Sequence, residues 1–318
     1  MYNVIYAIDK NYNTQLFVAI SSLLDKIEEK INIYVIHKDP ETFDPYFKKI
    51  LNRDKLNQFN IFKFKSEINF NNFPSLENSH VSEATYYRFF LDEYLPEGLE
   101  KVLYLDADVV CINNPIDELN KIYEDLKKSD LPLASRTIGL RMKFNDVNQS
   151  TKRFDKIHIQ NDRYFNAGVV IINYPHWIKN NIFSKLINLS KELGNDAELH
   201  DQDVINSLID SNYLELNEFM NRRIGKDSNY YNNADIYKNA IFLHYEGNWK
   251  PWTVKGILKE SSIFYTKYFR SLGDNSYHIT HLRKLNSIKD IFRAFVSLEI
   301  FKLDRPFRFI LETLRSFY

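Results

Sequence analysis

Apolar positions along the chain gather in short β-branched runs, separated by stretches that repeat with helical period. VIYAI (4–8), NIYVIHK (32–38), FNIFKF (59–64), KVLYLDAD (101–108), VVIINY (169–174) and AIFLHY (240–245) read as strands. Over 15–27, Leu16, Ala19, Ile20, Leu23, Leu24 and Ile27 share one helical face. Residues 42–57, 82–94, 176–193 and 201–210 also read as helices, with Pro96 and Gly98 ending the second of these. Residues 134–165 show little periodicity and read as an irregular excursion beside the site. Strands alternating with helices predict an α/β fold with a mixed, mostly parallel central sheet flanked by helices. Ligands of such sheets bind outside the carboxyl ends of the strands. After residue 275 the chain turns to basic, aromatic helices, so the division is a catalytic domain over 1–275 and a small helical tail over 276–318.

Composition narrows the function. The chain has 318 residues, 44% hydrophobic and 26% charged, with 42 basic against 42 acidic side chains. That neutral balance argues against a nucleic-acid partner. A single cysteine, Cys111, cannot close an internal disulfide, and the opening MYNVIYAID lacks the pattern of a signal peptide. The expectation is a cytoplasmic protein. No two of the 8 glycines are separated by a single residue, so no dinucleotide fingerprint or Walker-type loop is present. A nucleotide bound here would have its phosphates neutralised by a metal or a side-chain cation.

Two strand exits carry chemistry. Asp106 and Asp108 follow the apolar strand VLYL, and residues two apart in an extended chain point to the same side. Two converging carboxylates repel unless a proton or a cation sits between them, and a hard divalent ion with oxygen ligands fills that role while gripping a diphosphate. The second exit reads His244-Tyr245-Glu246-Gly247-Asn248-Trp249-Lys250-Pro251-Trp252. His244 offers a nitrogen ligand, Gly247 permits close approach of a bulky anion, and Lys250 is a point charge suited to phosphate.

Two further motifs lie between these exits: Asn166-Ala167-Gly168 before an apolar strand, and Asp201-Gln202-Asp203 opening a helix. The four in order resemble the family 8 retaining glycosyltransferases of the GT-A fold. Within that family the likeness is to bacterial galactosyl- and glucosyltransferases of lipopolysaccharide synthesis. The resemblance covers roughly residues 1–270. It implies a GT-A-type sheet, with a nucleotide-sugar half over about 1–110 and an acceptor half over about 111–275. It implies that Asp106, Asp108 and His244 bind manganese, with magnesium as the alternative ion, completed by the diphosphate of UDP-galactose or UDP-glucose. Ala7 and Asp9 match positions that hold uracil, and Asn11 the position beside the ribose. Arg88 matches a helix residue that reaches the donor sugar and diphosphate. Asp106 would also touch a sugar hydroxyl, with Ala107 beside the donor. Asn166, Ala167 and Gly168 would line the sugar pocket. Asp201 would hold donor-sugar hydroxyls, Gln202 would lie near the anomeric carbon, and these two are the catalytic candidates. Gly247 and Lys250 would clasp the departing phosphate. Tyr12 and His80 match acceptor contacts.

The residues also admit plainer roles. Asp9 and Asp201 can be helix caps, Arg88 can pair with Asp92 four residues on, and Asn166-Ala167-Gly168 can be a turn. On the acceptor side, Ser135–Leu140 has no carboxylate, whereas Arg136, Arg141, Lys143, Lys152 and Arg153 make the neighbourhood basic. That fits an acceptor carrying phosphate or carboxylate, or a solvated loop. The implied function is manganese-dependent, retaining transfer of galactose or glucose to a hydroxyl of a glycan acceptor, itself lipid- or protein-linked. The alternatives are a glycogenin-like self-glucosylating enzyme, with 21 tyrosines available, and a noncatalytic nucleotide-sugar-binding protein.

The tail adds a partner. Residues 281–318 hold eight basic side chains against four acidic ones, a net +4. Ile288, Ile291, Phe292, Phe295 and Leu298 form one helical stripe; Phe307, Ile310, Leu311, Leu314, Phe317 and Tyr318 form another after Pro306. Basic amphipathic helices with aromatic faces lie in the interface of anionic membranes. The expectation is peripheral attachment to the cytoplasmic face, with packing on the catalytic domain or a second subunit as the alternative.

Overall fold

Strand β1 (Tyr2–Ile8) and strand β2 (Ile31–His37) are buried almost end to end, as apolar runs covered on both faces must be. In the computed structural model, which describes residues 1–74, 76, 82–141, 147–225, 234–273, 276–281 and 284–317, they form the middle of a seven-stranded sheet. Its other strands are β3 (Leu56–Lys63), β4 (Lys101–Leu105), β6 (Leu133–Leu140), β7 (Arg163–Asn173) and β8 (Leu214–Glu215). The order is β3-β2-β1-β4-β7-β6-β8. Strands β3, β2, β1 and β4 are parallel; β7 runs antiparallel to β4 and β6; β8 is parallel to β6. A second sheet joins β5 (Val109–Cys111), β10 (Phe242–Tyr245) and β9 (Arg222–Ile224). The sheet is thus mixed and mostly parallel, as its sequence implies.

Alternate residues of β1 feed two cores. Val4 and Tyr6 join one face with Leu16, Ile20 and Leu23 of α1 (Asn13–Lys26) and Leu119 of α4 (Ile116–Ser129). Ile5 joins the other with Leu186 of α7 (Ile182–Leu193) and Val204 of α8 (Asp201–Ile209). Helices α2 (Asp44–Leu51), α3 (Leu91–Tyr94), α5 (Val147–Lys156), α6 (Tyr174–Lys179), α9 (Ala234–Asn239), α10 (Val254–Ile257) and α11 (Ser262–Arg270) complete this part.

Four segments depart from the periodicity. The helix expected over 42–57 stops at Leu51, because pairing with β2 draws Leu56 into β3. Over 82–94 the chain is chiefly a 3-10 helix, Glu83–Phe90, with Tyr86, Tyr87, Phe89 and Phe90 all buried. Three residues per turn put Thr85 and Arg88 on one line. Most of the described part of 134–165 is regular: β6, α5 and the start of β7 occupy it, and register shifts at Ala134/Arg136 and Thr137/Gly139 mask the alternation of β6. The helix expected over 176–193 breaks into α6 and α7 at Asn181, whose φ of 52° is a left-handed conformation that asparagine tolerates.

The tail forms α12 (Lys284–Val296), a 3-10 turn and α13 (Pro306–Arg315). Its inner side packs on α10 through Ala294, Ile300 and Phe309 against Val254, Ile257 and Tyr277. The outer stripe stays exposed, with Phe292 at 69% and Phe307 at 77%. Ile291 and Ile310 leave the predicted stripes and pack inward, and Phe317 stacks on His281. Arg283 and Tyr318 lie outside the described residues. Among those residues no helix is long and apolar enough to cross a membrane.

The join between domain and tail is sealed by His278, which stacks on Trp252, Tyr265 and Phe269 and hydrogen-bonds Tyr265 Oη through Nδ1 at 2.6 Å. Burial lowers its pKa from 6.5 to about 4. Between those values the unfolded chain binds a proton that the folded one excludes, so stability falls as pH drops from about 6.5 to about 4. A His278→Phe variant should lose less stability over that window than the wild type, although it starts about 1 kcal/mol lower because Tyr265 loses its partner. Urea midpoints at pH 7 and pH 4.5 test this; equal acid losses in both proteins would refute it.

Candidate active site

Strand polarity brings the two chemical strand exits together. Because β7 runs antiparallel to β4, its early residues lie beside the end of β4: Leu105 pairs with Val169, and Asp106 N–H donates to Gly168 O at 2.9 Å. The chain then turns through Asp108 into β5, whose Val109 pairs with His244 on β10. Asp106, Asp108 and His244 therefore converge, with one ligand atom of each within 4.8 Å of the others.

This cluster suits a divalent cation. Asp108 Oδ1 is buried and accepts no hydrogen bond among the described residues, and His244 Nε2 lies 3.2 Å from it. His244 Nδ1 meets Asn221 Oδ1 at 3.3 Å, which places the proton on Nδ1 and leaves Nε2 as the ligand atom. Asp108 Oδ2 receives Lys250 Nζ at 2.7 Å. Burial alone would raise the Asp108 carboxyl, but the Lys250 ammonium and His244 hold it below the usual carboxylate range. Burial would lower His244, and the charge of Asp108 raises it instead.

Arg88 joins the two acidic motifs rather than pairing with Asp92. It donates to Asp106 Oδ1 at 2.7 Å and Ala167 O at 2.7 Å, and its Nε lies 3.0 Å from Asp201 Oδ2. Thr85, one 3-10 turn earlier, donates to Asp201 Oδ1. Burial pushes the Asp201 carboxyl up to about 6, against the influence of Arg88 and Thr85. Tyr104 adds a hydrogen bond to Asp106 at 2.9 Å. Three carboxylates thus face two fixed cations, an electrostatic deficit that a divalent ion would reverse.

Gln202 follows on α8. Its Oε1 accepts from Ala167 N–H at 3.0 Å and Asn166 Nδ2 at 3.4 Å, and its Nε2 donates to Tyr164 Oη at 3.2 Å. Asn166 Oδ1 accepts from Gly168 N–H at 3.1 Å and Asn221 Nδ2 at 2.9 Å. A cavity of about 150 Å³ opens beside the metal ligands, lined by Ala7, Asp9, Tyr12, Thr85, Arg88 and Lys250 among others. Asp9 does cap the turn after β1, accepting from Asn11 N–H at 2.8 Å, yet it also lines this cavity. Asn11 itself is exposed and does not line it. Gly247, at φ 55°, turns the chain toward Lys250 with open space around it. His80 lies outside the described residues. Sequence reasoning missed Thr85, Tyr104, Tyr164 and Asn221. Thr85 and Tyr104 had spacing as a signal, three before Arg88 and two before Asp106; Asn221 had none.

Gly168 keeps this cluster open. A Cβ there would overlap His244 Cε1 and stand 2.8 Å from both Asp106 Oδ2 and His244 Nε2. If the cluster holds a divalent cation, Gly168→Ala should weaken its binding at least about tenfold, and Asn221→Ala about tenfold through loss of the imidazole's orientation. Calorimetric titration of Mn²⁺ into each folded variant measures this; wild-type affinity in Gly168→Ala would contradict the assigned geometry.

Residues 3–256 match the profile of glycosyl transferase family 8. The chain is 29% identical over 278 residues to a lipopolysaccharide 1,3-galactosyltransferase of Salmonella typhimurium, covering 83% of this chain and 76% of that protein. It is 26% identical to general stress protein A of Bacillus subtilis over 79% of this chain and 87% of the relative. Its fold superposes on galactosyltransferase LgtC, solved in complex with donor and acceptor sugar analogues, with a TM-score of 0.66 at 21% identity, over 90% of this chain and 99% of that one. With four-fifths of its length matched, and with the strand exits converging as described, the chain belongs to glycosyl transferase family 8 and has the GT-A fold.

Proposed function

We propose that the protein is a retaining glycosyltransferase that moves galactose or glucose from UDP-galactose or UDP-glucose to a hydroxyl of a glycan acceptor. The observation that carries this reading is the convergence of Asp106, Asp108 and His244 beside a cleft that also holds Lys250 and Arg88. The phosphates of a nucleoside diphosphate seated there would meet Lys250, Arg88 and the bound ion. Mn²⁺, with Mg²⁺ as the alternative, would be held by the three ligands and would supply charge for the leaving diphosphate. Two relatives fit the donor choice: the galactosyltransferase above and a lipopolysaccharide 1,2-glucosyltransferase of Escherichia coli, 27% identical over 86% of this chain.

The chemistry follows from what the neighbouring groups can do. Both oxygens of Asp201 are engaged, by Arg88 and Thr85, and Gln202 Oε1 already accepts two hydrogen bonds. Neither is poised to attack an anomeric carbon as a retaining hydrolase carboxylate does. Front-face attack fits better: the acceptor oxygen bonds to the anomeric carbon as the bond to UDP breaks on the same face. The acceptor proton passes to the leaving phosphate oxygen. Lys250 stabilises that phosphate, and Asp201 and Gln202 hold the sugar.

The tail's exposed stripe supports a place for the reaction. Phe292, Phe295, Phe307 and Leu314 stand outward beside Arg293 and Arg315, while the inner face is anchored on α10. We assign this side to the cytoplasmic face of a membrane carrying anionic lipid, where a lipid-linked acceptor is presented.

Three measurements test these assignments. Asp108→Ala should abolish Mn²⁺-dependent release of UDP from both donors; normal turnover in that variant would sink the site. Asp201→Asn should cut turnover far more than UDP affinity, because UDP lacks the sugar, whereas Lys250→Ala should weaken both; poor UDP binding with normal saturated turnover in Asp201→Asn would reverse the assignment. Truncating the tail would uncover Val254 and Ile257, so the membrane test uses Phe292→Glu with Phe307→Glu. The intact protein should co-sediment with anionic vesicles at low salt and the double variant should not; equal sedimentation would remove the tail from membrane binding.

A further inference from the structure

Outside the metal ligands and the nucleotide cleft, one carboxylate stands at the reacting end of the site without a role. Glu246 follows His244 by two residues at the end of β10, and its side chain is 23% exposed. Its Oε1 accepts from Arg223 Nε, on neighbouring β9, at 2.5 Å and from Asn166 Nδ2 at 3.4 Å. Its Oε2 lies toward Gly225, where a Cβ would stand 3.5 Å away, and accepts no hydrogen bond among the described residues. Asn166 also meets Gln202. Glu246 therefore shares a hydrogen-bonding neighbour with the residue placed near the anomeric carbon. It is not among the residues that line the nucleotide cleft.

Of the basic residues that pointed to an anionic acceptor, three arginines spend their charge internally, while Lys152 stays exposed on α5. Arg136 donates to Asn221 O at 2.6 Å and lies 3.7 Å from Glu218. Arg141 pairs with Asp155 at 2.8 Å and Arg153 with Asp203 at 3.0 Å; Lys143 lies outside the described residues. What remains beside Asn166 is a carboxylate with a guanidinium behind it. Such a group accepts strongly from a hydroxyl, in a charge-assisted bond about twice the strength of a neutral one, and repels phosphate or carboxylate.

We infer that Glu246, positioned by Arg223, binds a hydroxyl of an uncharged acceptor sugar and so selects neutral glycans for this site. The inference rests on the glycosyltransferase reading above. It also supplies the acceptor carboxylate that Ser135–Leu140 lacks, from a different element of the fold.

The test uses the full-length protein with Mn²⁺ and UDP-galactose or UDP-glucose. Lactose, methyl β-galactoside and methyl α-glucoside serve as neutral probes, and sialyllactose and glucose 6-phosphate as anionic ones, with UDP and glycoside product both measured. Transfer should favour a neutral probe. Glu246→Gln should raise the acceptor KM about tenfold, the loss of one charged hydrogen bond, while moving the donor KM much less. Glu246→Asp, which keeps the charge, should recover part of the affinity, and Arg223→Gln should shift the acceptor KM in the same direction as Glu246→Gln. Preference for an anionic probe, transfer to no neutral probe, or an unchanged acceptor KM in Glu246→Gln overturns the inference while leaving the donor reading intact. No UDP release by the wild type from either donor overturns the donor reading, and this inference with it.

Discussion

The Arg88 guanidinium is the interaction on which the site depends. It is 10% exposed, lies over the Tyr104 ring, and ties the end of β4, the start of β7 and the first turn of α8 through Asp106, Ala167 and Asp201. Without it, two carboxylates from distant parts of the chain would face each other across a desolvated gap. Removing one partner of a buried ion pair typically costs 3–5 kcal/mol, because the other charge is stranded. The same geometry that makes Arg88 structural also points it into the cleft, so stability and the proposed donor binding are not separable at this residue.

Lys250 plays the matching part on the other side of the metal ligands, against Asp108. The two cations leave the acidic cluster one charge short of balance. That shortfall is the electrostatic ground on which we propose a divalent ion here and, through it, a diphosphate. The polar layer behind the ligands is equally defined: His244 leans on Asn221, Asn221 on Asn166, and Asn166 on Gln202. A displacement of His244 is thereby passed by contact to Gln202.

The C-terminal helices show one sequence pattern serving two demands. Their inner residues close a small core on α10, and their outer aromatic residues remain in solvent. The hydrophobic stripes were visible in sequence, but the anchoring residues Ala294 and Phe309 were not among them, because a stripe with no partner and a stripe with one look alike.

Length, alternation and strand-end residues determined the fold class, the mostly parallel sheet and the candidate carboxylate cluster, because each is set by local periodicity or by residues two apart at one strand end. The motifs likewise located Arg88, Asp201 and Lys250. Tertiary structure decided what those residues touch. It converted a helix into a 3-10 turn so that Thr85 and Arg88 align, made a strand and a helix within the apparently irregular 134–165, and brought Asn221 to His244, 23 residues on, and Glu246 to Asn166, 80 residues away. Such contacts depend on the antiparallel insertion of β7 and on the second sheet. No periodicity within a single segment encodes which strand will lie beside it.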